Sequence, residues 1–320
     1  MLYMDNAATT RVSDTAKKEM LFCMENFWGN PSSLHTPGQK AAEKLLWARQ
    51  TIAKAIGAEA REIYFTSGGS ESDNWAIRAM ALAGAKKGKR HIVSTTIEHH
   101  AVLHTLKRLE QEGFSVTLVP VQQDGIVRTA DVAAAIREDT ALVTVMTANN
   151  EIGTIQPIGE IGAICQARKI PFHTDAVQAV GHIPVDVNEM HIDLLSMSAH
   201  KFHGPRGVGV LYARRGLLLS NLIDGGAQER GKRAGTENLP AIAGMAAALD
   251  EACRNMAENA QKEVALRDRL IAGLSEIPHS ALNGDKKNRL PGNVNFCFEG
   301  IEGESLLLLL DAKGIAASSG

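Results

Sequence analysis

Ile192-Asp-Leu-Leu-Ser-Met-Ser-Ala-His-Lys201-Phe-His-Gly-Pro-Arg-Gly207-Val-Gly-Val-Leu-Tyr212 holds two apolar runs around a glycine-rich turn. Ile192 to Met197 predicts one buried strand and Val208 to Tyr212 another. Gly204, Pro205 and Gly207 force a tight, extended turn between them. Lys201 therefore falls just past a strand end, the edge at which open α/β sheets hold their ligands. An amine in such a half-dry crevice loses hydration of its charged form, so its pKa falls and it can attack a carbonyl carbon. Taken alone, the residue also reads as a solvated lysine in a surface loop.

Outward from this stretch, strands and helices alternate. Strands are predicted at 62–65, 91–95, 116–119, 141–146 and 171–175. Helices are predicted at 13–27 with Ser13 as cap, at 37–56 stopped by Gly57, from about Ser70, and near 99–112 and 158–168. Such alternation implies an α/β fold with a mostly parallel sheet covered on both faces. After Thr236-Glu-Asn-Leu-Pro240 a long helical pattern runs to about Leu274 and carries the chain out of this first domain. Asn293 to Phe298 as a strand and Gly303 to Ala312 as a helix then begin a smaller α+β unit. The expected division is a large domain over 14–250 and a small one from 1–13 with 251–320.

The chain has 320 residues, long enough for a substantial core. With 34 Lys and Arg against 36 Asp and Glu the formal net charge is −2, which gives no electrostatic case for nucleic acid or an acidic membrane. Met1 opens a short polar segment with no basic leader or long apolar run, so neither export nor membrane spanning is expected. Cys23, Cys165, Cys253 and Cys297 are scattered and form no C-x-x-C pair, which fits reduced thiols in a cytoplasmic protein.

Polar clusters follow several of the strands. Thr66-Ser-Gly-Gly-Ser-Glu-Ser-Asp-Asn74 opens a helix, and its glycines and free N–H groups can cradle a phosphate or simply cap the helix. It is no Walker loop, because G-x-x-x-x-G-K is absent. In Glu98-His99-His100 a histidine can stack on a conjugated ring, move a proton, or be structural. His100 and His104 lack a third ligand at recognisable spacing, so no metal is expected. Thr147-Ala-Asn-Asn150 supplies side-chain amides. Asp175, in His173-Thr-Asp-Ala-Val-Gln178, can cap the next helix or pair with a protonated pyridine nitrogen. Cys297 lies in an apolar Phe-Cys-Phe run, which predicts an inert buried thiol.

Tyr3-Met-Asp-Asn-Ala-Ala-Thr-Thr10, Gly29-Asn-Pro-Ser-Ser33, Thr66-Ser-Gly-Gly-Ser-Glu-Ser72, Asn149-Asn-Glu-Ile-Gly153, His173-Thr-Asp-Ala-Val-Gln178, Ser198-Ala-His-Lys201 and Glu229-Arg-Gly-Lys-Arg-Ala-Gly-Thr-Glu-Asn238 resemble, in order and spacing, the NifS/IscS-type cysteine desulfurases. The Ala-Gly-Thr-Glu-Asn form leans to the NifS-like branch. The resemblance spans essentially the whole chain. It implies a fold-type I, class V pyridoxal 5'-phosphate enzyme with a seven-stranded sheet. It implies Lys201 in Schiff-base linkage to the cofactor, Asp175 on the pyridine nitrogen, Gln178 on the phenolic oxygen and His99 stacked on the ring. Gly69, Ser70, Ser198 and His200, with Ala199 between the last two, would bind the phosphate. Thr236 would reach the phosphate of a second subunit in a homodimer, and Asn150 would sit near substrate and ring.

The implied reaction converts L-cysteine to L-alanine. A protein thiolate keeps the sulfur as a persulfide for an acceptor such as an iron–sulfur scaffold. The family's nucleophilic cysteine lies in a Ser-Ser-Gly-Ser-Ala-Cys-like loop, whereas this sequence ends Gly314-Ile-Ala-Ala-Ser-Ser-Gly320. The expectation is a longer parent chain carrying that thiol and the arginine that clamps the substrate carboxylate. The other reading is a shorter protein that has lost the desulfurase step. A selenocysteine lyase, a class V aminotransferase and a catalytically silent cofactor-binding scaffold remain as alternatives.

Overall fold

The computed structural model describes residues 1–319. Its strands are β1 (Leu2–Tyr3), β2 (Ile63–Thr66), β3 (His91–Thr95), β4 (Ser115–Val119), β5 (Thr140–Thr144), β6 (Phe172–Asp175), β7 (Leu194–Ser198), β8 (Gly209–Ala213), β9 (Ser280–Leu282), β10 (Phe296–Phe298) and β11 (Ile315–Ala316). Its helices are α1 (Asp14–Asn26), α2 (Thr36–Ala55), α3 (Gly69–Ala85), α4 (His100–Gln111), α5 (Thr129–Ala135), α6 (Ile158–Ala167), α7 (Gln228–Gly231), α8 (Leu239–Ser275) and α9 (Gly303–Ala312).

Seven strands form one sheet in the order β2-β8-β7-β6-β5-β3-β4. The run from β7 to β4 is parallel, and β8 is antiparallel to both of its neighbours. The fold is therefore the mostly parallel α/β sheet that the alternation predicts. The apolar runs are unbroken because both faces are covered. Leu194, Leu211, Ile92 and Leu142 enter a cluster with Trp75 and Ile77 of α3. Their chain neighbours Leu195, Val210, Val93 and Val143 enter the opposite cluster with Ile52 of α2 and Met245 of α8.

Element ends obey local chemistry. Ser13 Oγ accepts from Ala16 N at 3.1 Å, so α1 starts where predicted. The strand expected from Ile192 begins two residues later, because the Asp193 carboxylate is engaged by Phe172 N and by Arg214. β5 stops at Thr144, short of the predicted Met146, although Val145 N still bonds His173 O. The α8 helix spans 37 residues, or about 55 Å at 1.5 Å per residue, and its buried positions end at Leu249. β1 pairs in parallel with β11, which joins the first residues to the last described ones. No helix among the described residues is long and apolar enough to cross a membrane.

The reading of Cys297 as a buried thiol is corrected: it is exposed. β10 pairs with β9 alone, its alternation stacks Phe296 and Phe298 on one face, and Cys297 projects from the other. The predicted strand from Asn293 is also shorter, since Asn293 and Asn295 instead donate to Glu151 O.

One close approach positions the site. Gly209 lies opposite both Thr66 and Ser198, and a Cβ there would meet Gly68 Cα at 2.6 Å and Met197 O at 2.7 Å. These are backbone atoms and cannot swing aside. Gly209→Ala is expected to cost about 1–3 kcal/mol and to push β8 off the start of α3. Thermal unfolding of the apoprotein checks this, and an unchanged melting temperature would mean that the strand has slack.

Candidate active site

β7 gives way at Ser198 to a 3₁₀ turn, Ala199–Lys201, which turns the lysine back over the sheet edge. Lys201 Nζ donates to Ala7 O at 2.5 Å and to Ala8 O at 2.9 Å. Gln178 Nε2 donates to the same Ala7 carbonyl at 3.0 Å. Asp175 closes β6, the neighbouring strand, in register with Ser196. It is buried, and its Oδ1 accepts from Val177 N at 2.9 Å.

Lys201 and Asp175 come from the ends of neighbouring strands, and the charge of each bears on the other. Burial pulls the lysine below its ordinary value, and the charges of Asp175 and Asp5 oppose that fall. Burial pushes Asp175 above the usual carboxylate range, opposed by its Val177 hydrogen bond and by His99 and Lys201. The arrangement yields a lysine biased toward the free amine beside an acid kept from water, each tuned by the other.

His99 caps α4, its Nδ1 accepting from Ala101 N at 3.1 Å, and its ring remains exposed. That capping bond gives His99 a structural role at the start of α4. His200 Nδ1 meets Thr9 Oγ1 at 3.1 Å. Burial, then Lys201 and Arg206, push His200 down to about 4, so it is neutral near pH 7.

The start of α3 has no side-chain cap, and Gly68 and Gly69 leave its first N–H groups open beside Ser198. A Cβ at Gly69 would meet Val177 Cγ2 at 2.6 Å, so glycine is needed where the turn passes the segment after Asp175. Ser70 is exposed on the first turn. A 17-residue helix with an uncapped, glycine-lined start is suited to an anion.

Of the remaining predicted residues, Ser198 and Ala199 are buried beneath this edge. Asn150 is half-buried in the turn after β5. Its neighbour Asn149 builds that turn, accepting from Glu151 N and Ile152 N and donating to Ile97 O, all at 2.9 Å. Thr236 is exposed on the loop before α8, and among the described residues its side chain bonds nothing in this cluster. Two ion pairs anchor the segment that leads into that loop. Arg233 pairs with Glu71 of α3 at 2.9 Å, and buried Glu229 pairs with Arg49 at 2.7 Å. Glu229 and Arg230 are held in left-handed conformations, φ 46° and 59°.

Sequence reasoning missed the N-terminal loop as part of the site. Ala7 and Ala8 hold the lysine through backbone carbonyls, which leave no side-chain signature. Thr10 adds further ties, its N and Oγ1 donating to His200 O at 2.9 and 2.8 Å. It also missed two buried acids, Asp73 and Glu98, packed behind Asp175.

Burial pushes Cys23 up to about 11 and Cys165 to about 12, and raises Cys253 as well. None of these three is a ready thiolate near neutrality.

Residues 2–320 match the family described as aminotransferase class-V. The chain is similar to cysteine desulfurase IscS of Clostridium botulinum strain Hall, 55% identical over 323 residues, covering 100% of this chain and 81% of that protein. Among solved structures it is similar to a NifS-like protein, with TM-score 0.97 and 41% identity, covering 100% of this chain and 87% of that one. A structure of SspA in complex with cysteine matches with TM-score 0.86 and 34% identity, covering 100% and 89%.

Proposed function

Since the chain belongs to the aminotransferase class-V family and, within it, to the cysteine desulfurases, we propose that Lys201, Asp175 and the start of α3 hold pyridoxal 5'-phosphate for that reaction. The activity is the conversion of L-cysteine to L-alanine with transfer of the sulfur to a protein thiol. The observation that carries the site assignment is the half-dry Lys201 amine at the strand end next to that of the buried Asp175 carboxyl, the charge of each bearing on the other.

The donor set fits the cofactor. The uncapped helix start and the Ser198 hydroxyl suit a phosphate, with Gly69, Ser70, Ala199 and His200 around them. Lys201 Nζ has only backbone carbonyls as hydrogen-bond partners, so it is free to react with an aldehyde. Asp175 suits a protonated ring nitrogen, Gln178 a phenolic oxygen, and exposed His99 a ring face. When bound, the cofactor supplies an electron sink for the bond broken at the substrate Cα.

The protein's own groups handle the proton and the charge. Burial favours unprotonated Lys201 Nζ, which can take the Cα proton, and the Ala7 and Ala8 carbonyls hold that nitrogen over the sheet edge. Burial opposes the Asp175 carboxylate, and the Val177 N–H that donates to its Oδ1 favours it and helps keep a counter-charge in place. Neutral His200 adds no charge to the anion site.

A homodimer is part of this reading, with Thr236 reaching the second subunit's phosphate. The exposure of Leu21, Phe22, Met24, Trp28, Leu34 and Trp47 along α1, the loop after it and α2 supports it. So does the placing of Thr236 on an exposed loop whose leading segment two ion pairs anchor. The division into a large domain over 14–250 and a small one from 1–13 with 251–320 is supported by the β1–β11 pair and the exposed outer part of α8. Four unpaired cysteines support a reducing, cytoplasmic location, and the sulfur goes to an acceptor such as an iron–sulfur scaffold.

Full-length, cofactor-loaded protein given L-cysteine is expected to release L-alanine and to acquire sulfane sulfur on a thiol in equal amount. L-selenocysteine run in parallel measures selectivity. Amino transfer that requires a keto acid and leaves no protein-bound sulfur would overturn the reading.

A further inference from the structure

Asp175 is one of three buried acids. Asp73 of α3 is 1% exposed and Glu98, in the turn after β3, is 5% exposed, and the charge of Asp175 bears on both. Glu98 Oε1 accepts from Thr95 Oγ1 at 2.6 Å and from Met146 N at 3.0 Å, while its Oε2 is buried without a partner. Asp73 Oδ1 is also buried without a partner, and His173 Nε2 stands 3.6 Å from it, beyond hydrogen-bonding distance.

His173 brings no charge into this cluster. Complete burial pushes it down to about 3, and its two nitrogens are engaged by Thr144 Oγ1 at 2.8 Å and Ser196 Oγ at 3.0 Å. Ser196 also lies beside the Asp73 carboxyl. Among the described residues no lysine or arginine pairs with any of the three acids. The basic side chains that bear on the cluster, His99 and Lys201, do so at Asp175. A carboxylate buried without a cation or a full set of donors takes up a proton instead.

We propose that Glu98 and Asp73 are protonated positioning residues, which leave Asp175 as the cluster's single negative charge, turned toward Lys201 and the cofactor's ring nitrogen. The proposal rests on the reading of Asp175 given above. Protonation removes a buried charge that no cation offsets, which is the larger cost of leaving such an oxygen without a partner. Ionisation of either would draw a proton onto Asp175 and remove the counter-charge. Consistent with this, burial pushes Glu98 up to about 8 and Asp73 well above the usual carboxylate range.

The sign of the stability effect follows. Unfolded Glu98 releases its proton near the ordinary glutamate value, whereas the folded protein keeps it to about 8. Its contribution is therefore whole at low pH and is lost as pH rises toward 8.

Carbon-13 NMR of the wild-type apoprotein labelled at the glutamate side-chain carboxyl is expected to show one resonance that stays protonated until about pH 8. Full ionisation of every glutamate by about pH 6 would overturn the proposal. The melting temperature of apo Glu98→Gln, relative to wild type, is expected to climb from pH 5 to pH 8, and a constant offset would count against it. Infrared spectra of the apoprotein are expected to lose one protonated-carboxyl band in Glu98→Gln and another in Asp73→Asn, and retention of both bands would also overturn it. None of these measurements needs bound cofactor. Failure of the cofactor reading would instead show as holoprotein in which Asp175→Asn changes neither absorbance nor affinity.

Discussion

Lys201→Ala is expected to abolish the covalent, borohydride-reducible attachment of pyridoxal phosphate and to lower turnover by about 10⁴-fold or more. In the proposed function one atom, Nζ, serves both as the attachment point and as the base, which makes the expected effect large. The substitution also removes an amine whose charge opposes the desolvation of Asp175, so the Asp175 pKa should rise further. The Ala7 and Ala8 carbonyls lose their donor, but both lie on an exposed loop that water can reach. The fold should therefore survive, and the variant is a clean probe. Absorbance spectra, cofactor affinity and alanine release measure the three consequences separately. A variant that keeps the reducible linkage would transfer the role to another lysine.

Asp175→Asn is expected to lower turnover by about 10²- to 10³-fold, the size typical of removing one preorganised electrostatic partner. The amide can still accept from Val177 N, so local geometry is kept. Stability should move the other way. Burial raises the Asp175 pKa, so its stabilising contribution is whole below the ordinary aspartate value and is lost as pH rises through the folded value. At neutral pH the apo asparagine variant should thus melt no lower than wild type, while below about pH 4 the advantage should vanish. Together these outcomes identify a residue retained for chemistry at some expense in stability. Loss of both activity and stability would make Asp175 a structural residue.

Much of the site is legible in the sequence because a buried strand that ends in a polar residue announces itself. Lys201 follows the largely apolar β7, Asp175 closes the short strand Phe-His-Thr-Asp, and His99 follows β3, whose bounds match the prediction. The α9 helix also matches, since Leu306 to Leu310 and the flanking glycines mark it plainly.

What was not legible depends on partners distant in sequence. The carbonyls that hold Lys201 lie more than 190 positions away in a loop whose side chains say nothing of backbone acceptors. Glu98 and Asp73 read as members of polar turns, and only packing of α3 and β5 against β6 buries them. Cys297 misled for the opposite reason. Its apolar neighbours promised burial, but a two-stranded pair turns alternate residues outward. β11, two residues long, carries no periodicity at all, whereas the opening Leu2–Tyr3 reads as a short strand and forms one.

The most direct test locates the cofactor on the chain. Full-length protein loaded with pyridoxal phosphate is reduced with borohydride, digested, and analysed by mass spectrometry. The added mass is predicted on the peptide that contains Lys201, with other lysines unmodified. Modification of a different lysine, with Lys201 left free, would contradict the assignment.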